Sequence, residues 1–205
     1  MQLELDFRLH HPEAVMRLVT DFGKWSAGII AAARLSRRTD VVELLRDYDS
    51  QAHQQTQREI TYAVLLLVHL LPSSNTRQKA KLSSAEMEGS LVAFKPQQTS
   101  IELFAEAKKN SCNKQPSLLC IGTRDEPGTF YLMLDAKAVC LGECGTLKAV
   151  DCLFKSHFVF WVTYGKPLSL FMEFLQKILY HIEPQKLSVR VRELKNSILA
   201  LTESG

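Results

Sequence analysis

The cysteines and histidines come first, because their spacing is where a reaction centre or a metal would show. Cys140-x3-Cys144-x7-Cys152-x4-His157 is the one arrangement that suggests a metal. Zinc takes four thiolate or imidazole ligands converging tetrahedrally, commonly as two close pairs. Here the second pair falls inside an apolar helical pattern, and its spacing turns Cys152 and His157 about 140° apart around the helix. A buried thiol and a helix histidine are expected instead. A cysteine nucleophile needs a positive neighbour or a helix N-terminus to lower its pKa. Cys120 or Cys144, with His157 or His181, supplies the residue types, and Cys144 stands just before a helix start. Neither thiol has a cysteine-protease surround, so Cys144 reads as a turn residue. Gly142-Glu143-Cys144-Gly145 lacks the glycine spacing and the Lys-Ser/Thr pair of a P-loop. No HExxH, EF-hand loop or nucleophile elbow occurs. The sequence therefore predicts no catalytic, cofactor-binding or metal-ligating residue, with a cysteine-dependent enzyme as an alternative.

Basic residues gather at Arg34/Arg37/Arg38, Arg77/Lys79/Lys81, Lys108/Lys109/Lys114 and Arg190/Arg192/Lys195. Nucleic-acid binding needs several such charges on one face, with aromatic rings nearby for a single strand. Arg77, Lys79 and Lys81 alternate along a polar connector, while Arg190, Arg192 and Lys195 lie on the last helix. These six are the candidate nucleic-acid contacts. Solvated surface charge explains all four clusters as well, and a net charge of +3 does not by itself call for a polyanion.

The elements that must position these residues are mostly helical. Pro12 is placed to start a helix carrying Val15, Met16, Leu18 and Val19. A second helix is expected near Trp25–Leu35, and a third near Val41–Tyr48 with Thr39 or Asp40 as N-cap. A fourth, about His53–Leu71, ends almost wholly apolar and is stopped by Pro72. Leu3, Leu5 and Phe7 alternate as a short strand would. Capping boxes at Ser83/Glu86 and Thr99/Glu102 predict two short helices, the second ending at Lys108-Lys109-Asn110. After Pro116 the period changes. Leu118–Gly122 and Thr129–Leu134 flank the turn chemistry of Arg124-Asp125-Glu126-Pro127-Gly128, and Ala138–Leu141 adds a third short strand. A helix from Gly145-Thr146 to about Trp161 follows. Between Pro167 and Ile182, Leu168, Phe171, Met172, Phe174, Leu175, Ile178, Leu179 and Ile182 fill one broad helical arc that must be buried. A last helix is expected over about Lys186–Leu201.

The predicted fold is therefore α+β, predominantly α-helical, with a small antiparallel β element near residues 117–141. Residues 1–71 form a helical N-terminal region, 72–82 an exposed basic connector and 83–205 an α+β C-terminal domain, as two lobes or one continuous body. The expected core holds Leu67, Leu119, Phe130, Leu132, Leu153, Phe171, Leu175, Ile178, Leu194 and Ile198. At 205 residues, 46% hydrophobic and 23% charged, the chain has an ordinary globular composition. The odd cysteine number, the absence of an Asn-x-Ser/Thr site and an acidic start without an apolar core favour an intracellular location, cytoplasmic or nuclear. The longest apolar stretch, Ile60–Leu71, is shorter than the ~20 residues a spanning helix needs.

The second half carries a resemblance. Phe94-Lys95-Pro96, Thr99-Ser100-Ile101 and Gln115–Thr123 are followed by Phe130–Met133, Ala149–Lys155, His157–Phe160 and Phe174–Lys177. In these segments the chain resembles the vertebrate sterile alpha motif domain-containing protein three-like family, over roughly two thirds of its length from the leucine run before Pro72. The matching positions are mainly apolar or helix-forming, so the resemblance speaks to fold more than to activity. It brings no catalytic or binding residue, and the sterile alpha motif itself is absent from this chain. With enzyme motifs missing and relatives that carry a helical interaction module, the expected function is non-enzymatic binding of a protein partner. Nucleic-acid binding is the alternative; no membrane partner and no cofactor are expected.

Overall fold

The structure, a computed structural model, describes residues 2–50, 56–72, 83–110, 115–135 and 137–203. The chain opens with α1 (Gln2–His10), a 3₁₀ turn at Pro12–Ala14, α2 (Arg17–Arg34), α3 (Thr39–Asp49) and α4 (Thr56–Leu70). Then come α5 (Ser84–Leu91), β1 (Val92–Lys95), α6 (Ile101–Lys109), β2 (Ser117–Ile121), β3 (Thr129–Leu134) and β4 (Lys137–Gly142). The chain continues through α7 (Thr146–Val159), α8 (Ser169–Phe174) and α9 (Val189–Glu203). The fold is α+β and predominantly helical. Residues 73–82, which include Arg77, Lys79 and Lys81, and the expected helix start at His53 lie outside the described residues.

Several expectations are corrected by packing. Leu3-Leu5-Phe7 is helix, not strand: Leu3 and Phe7, one turn apart, are buried while Leu5 faces out. The helix expected from Pro12 is only a 3₁₀ turn there, and α2 runs unbroken from Arg17 past exposed Gly23 because Leu18, Phe22, Ile29 and Ala33 continue a single buried stripe. At Gly28 this helix meets α9, and a Cβ there would stand 2.7 Å from the Ile198 side chain. The helix start at 100 is capped by Ser100, whose Oγ accepts from Leu103 N–H, and not by Thr99. Ser83 and Glu86 do form the expected capping box.

The sheet runs β1-β2-β3-β4, and it is mixed. The expected β2-β3-β4 meander is antiparallel, and β1 adds a parallel edge strand that its short sequence did not announce. Leu118, Cys120, Phe130 and Leu132 point into the main core, whereas Leu119 and Met133 on the other face pack with Ala105 of α6. Burial on both faces explains why Leu118–Ile121 is a continuous apolar run rather than an alternating one.

All eight apolar residues of the Leu168–Ile182 arc are buried. The segment is not one regular helix. After α8 the chain widens into a π turn over Leu175–Leu179, closed by Tyr180 N–H to Leu175 C=O at 2.9 Å. One hydrophobic core runs from Leu3 and Phe7 through α2, α4 and α7 to Ile198 of α9. Leu194, expected inside it, packs half-buried on its edge.

Candidate functional site

Three arrangements have chemistry beyond packing. The first is a polar chain along α4, whose apolar body is inside the core. Arg58 Nε donates to Asp125 Oδ1 at 2.6 Å, and its other nitrogens reach the Tyr48 and Asp47 carbonyls. The guanidinium also lies over the Tyr48 and Tyr62 rings, at 5.2 and 4.8 Å from their centres. Tyr62 donates its hydroxyl to the same carboxylate at 3.0 Å. Burial and Asp125 push its phenol up to about 12. At the other end of α4, His69 Nδ1 lies 3.1 Å from Asp40 Oδ2, which accepts from Ser84 and pairs with Arg38. His69 Nε2 lies 3.7 Å from Glu88 Oε2, and Glu88 is held by Arg124.

Ser84, His69 and Asp40 are the residue types of a hydrolase triad, but in the wrong order. The serine donates to the aspartate rather than to the imidazole, and the free ring nitrogen faces Glu88. No serine is activated there. Beside this chain an open groove of about 690 Å³ is bounded by Asp47, Tyr62, Phe94, Lys95, Arg124 and Glu126. Its walls carry both signs of charge, so it offers no uniform field for an anion or a cation.

The second arrangement is a buried ionic cluster on α7. Asp151, 0% exposed, accepts from Lys155 Nζ at 2.7 Å and from the Tyr180 hydroxyl at 2.7 Å. Lys155, 1% exposed, also donates to the Val15 carbonyl at 2.8 Å. Tyr180 stacks on Phe154 with ring centres 4.1 Å apart. Asp151, Lys155 and Tyr180 are all buried, so the cluster's work is to join the turn before α2, α7 and the end of the π turn.

The third is the C-terminal end of α7. Trp161 N–H bonds Phe158 C=O and Val162 N–H bonds His157 C=O, which is a Schellman closure. The left-handed residue of that closure is usually glycine, and here it is Trp161, at φ 52°. A bulky side chain in this region costs about 1–2 kcal/mol of backbone strain. The indole is 88% exposed and its neighbour Phe160 is 52% exposed. A strained backbone therefore holds two large aromatic side chains in water.

The four described cysteines differ in exposure, although Cys144 stands within electrostatic reach of Cys120, Cys140 and Cys152. Cys140 is exposed on β4, Cys144 is half-buried before α7, and Cys120 and Cys152 are buried with their thiols pushed up to about 11 by desolvation. His157 is buried, its Nδ1 hydrogen-bonded to the Leu153 carbonyl, and burial lowers its pKa. No group of three or more metal-ligating side chains converges among the described residues. Of the candidate nucleic-acid contacts, Arg190 is engaged with the Pro72 carbonyl at 2.7 Å. Arg192 and Lys195 sit about 160° and 140° around α9 from it, so the three do not share a face. Trp161 escaped the sequence reading, although a Phe-Trp pair ending a helix without a glycine was visible. Asp151 and Lys155, four apart inside an apolar pattern, were an equally visible sign of a buried pair. No family model, curated protein or solved structure matches the chain.

Proposed function

We propose that this chain is a non-enzymatic protein-interaction module that docks a partner on the aromatic end of α7, through Phe160 and Trp161. The observation that carries the reading is Trp161 held 88% exposed in a left-handed conformation. Nothing in the packing of the fold rewards a tryptophan there, whereas exposed Trp is the residue most enriched at the energetic centres of interfaces. The resemblance to proteins that carry a helical interaction module supports the same reading, by analogy. The free thiols of Cys120, Cys140, Cys144 and Cys152 support a reducing compartment, cytoplasm or nucleus. No described helix is long and apolar enough to cross a membrane.

Trp161→Gly tests the proposal with an unusual pair of signs. Relief of backbone strain offsets the extra freedom of glycine in the unfolded chain, so stability should stay level or rise by up to about 1 kcal/mol. Partners recovered with the wild-type chain should be lost by the variant. Equal recovery by both, with equal affinity for the recovered partner, refutes the docking site. Nucleic-acid affinity that falls steeply with salt, drops on Arg192→Ala with Lys195→Ala, and ignores Trp161→Gly would favour the rival function.

A further inference from the structure

His69 lies 4% exposed near the end of α4, between two carboxylates that come from different helices. Arg38 and Asp40 face it from the start of α3, and Ser84 and Glu88 face it from α5, with Arg124 of the β2–β3 loop behind Glu88. A neutral imidazole has one N–H and one lone pair. Whichever tautomer it takes, one ring nitrogen turns a lone pair towards a carboxylate oxygen. Only the imidazolium gives each carboxylate a proton. The Asp40 contact, at 3.1 Å, is the shorter one, so a neutral ring keeps its proton on Nδ1 and presents the lone pair of Nε2 to Glu88 at 3.7 Å.

We propose that His69 is a proton-gated clasp: the imidazolium ties both α3 and α5 to the end of α4, and loss of its Nε2 proton releases the α5 side. Glu88 stays available as the anionic jaw. Burial works to raise its carboxyl, but His69 and the Arg124 guanidinium together hold it below the ordinary range. Asp40 is likewise held low: burial opposes it, and Arg38, Ser84 and His69 outweigh the burial. What the clasp restrains is α5 together with β1, since Leu91 ends the helix and Val92 begins the edge strand. Rising pH therefore loosens the parallel edge of the sheet, and falling pH tightens it until the carboxylates themselves protonate.

The test is amide hydrogen exchange of α5 and β1 across a pH series that spans the change in the number of ring N–H groups. Rates are corrected for the intrinsic base dependence of exchange, and nitrogen NMR of the His69 ring is recorded in parallel. Protection should fall by up to about fivefold as the ring passes from two N–H groups to one, the scale of an ion pair rather than of a hydrogen bond, since Nε2 stands 3.7 Å from Glu88. Glu88→Gln keeps the shape and offers an amide N–H to a neutral ring, so its protection should be flat with pH. His69→Gln, if it folds, should be flat as well. A ring with a single N–H throughout, or a Glu88→Gln profile that follows the wild type, overturns the proposal.

Discussion

Lys155→Met is the sharpest probe of the core. Lys155 Nζ makes two short bonds, one along α7 to Asp151 Oδ2 at 2.7 Å and one across the core to the Val15 carbonyl at 2.8 Å. Methionine replaces most of the aliphatic volume, so the cavity left behind is small and the loss is electrostatic. Breaking one side of a buried pair costs about 3–5 kcal/mol. Part of that is the Val15 carbonyl, which loses this donor at about 1–3 kcal/mol. Asp151 is not wholly abandoned, because Tyr180 donates at 2.7 Å and Lys148 stands 3.3 Å away at the surface. The expected loss is therefore near the lower end, roughly 3 kcal/mol, against a total stability of about 5–15 kcal/mol for a domain. Urea unfolding would read it directly, and the melting point should fall by roughly 6–12 °C at this chain length. The double variant Asp151→Leu with Lys155→Met removes both charges, and it should be less destabilised than the sum of the singles by about 2 kcal/mol. A Lys155→Met loss below about 1 kcal/mol, or additivity within about 0.5 kcal/mol, refutes a buried ionic tie.

Lys108 of α6 donates to Ser117 Oγ, and burial lowers its pKa from 10.5 to about 8, with Asp135 opposing. Between those values the unfolded chain holds a proton that the fold has released, so this residue adds stability as pH rises from about 8 to 10.5. The difference in unfolding free energy between wild type and Lys108→Met should show that slope, and a pH-independent difference would contradict it. Among the described cysteines, Cys140 should be alkylated first in the native protein. Cys120 and Cys152, buried with thiols near 11, should react only on unfolding. Mass spectrometry of peptides after brief maleimide treatment reads the order.

Long-period patterns were the legible part of this sequence. The Leu168–Ile182 arc, the β2-β3-β4 meander and the Ser83/Glu86 box all came from spacing alone, because each is a local rule. The edge strand β1 was not legible: four residues leaving a helix without a turn have no period, and only pairing with Leu118–Ile121 makes them a strand. Leu3-Leu5-Phe7 misled because Leu3 and Phe7 fit both periods, and α7 decided between them by covering Phe7 with Phe154 and Phe158. The clasp joins Asp40, His69 and Glu88 across tens of residues of chain, and no local spacing announces such a meeting. Trp161 was hidden for another reason. Its meaning lies in a backbone angle, which the residue type argues against.

The crossing of α2 with α9 at Gly28 sets an order of events during synthesis. The Ile198 methyl that fills the space above Gly28 is made some 170 residues after it. At about 5–20 residues per second, α2 waits on the order of ten seconds or more on the ribosome with part of its apolar stripe uncovered. Until α9 emerges, the face of α2 around Gly28 has no cover from that helix. A message broken before that helix would yield a product that sticks rather than one that is merely short.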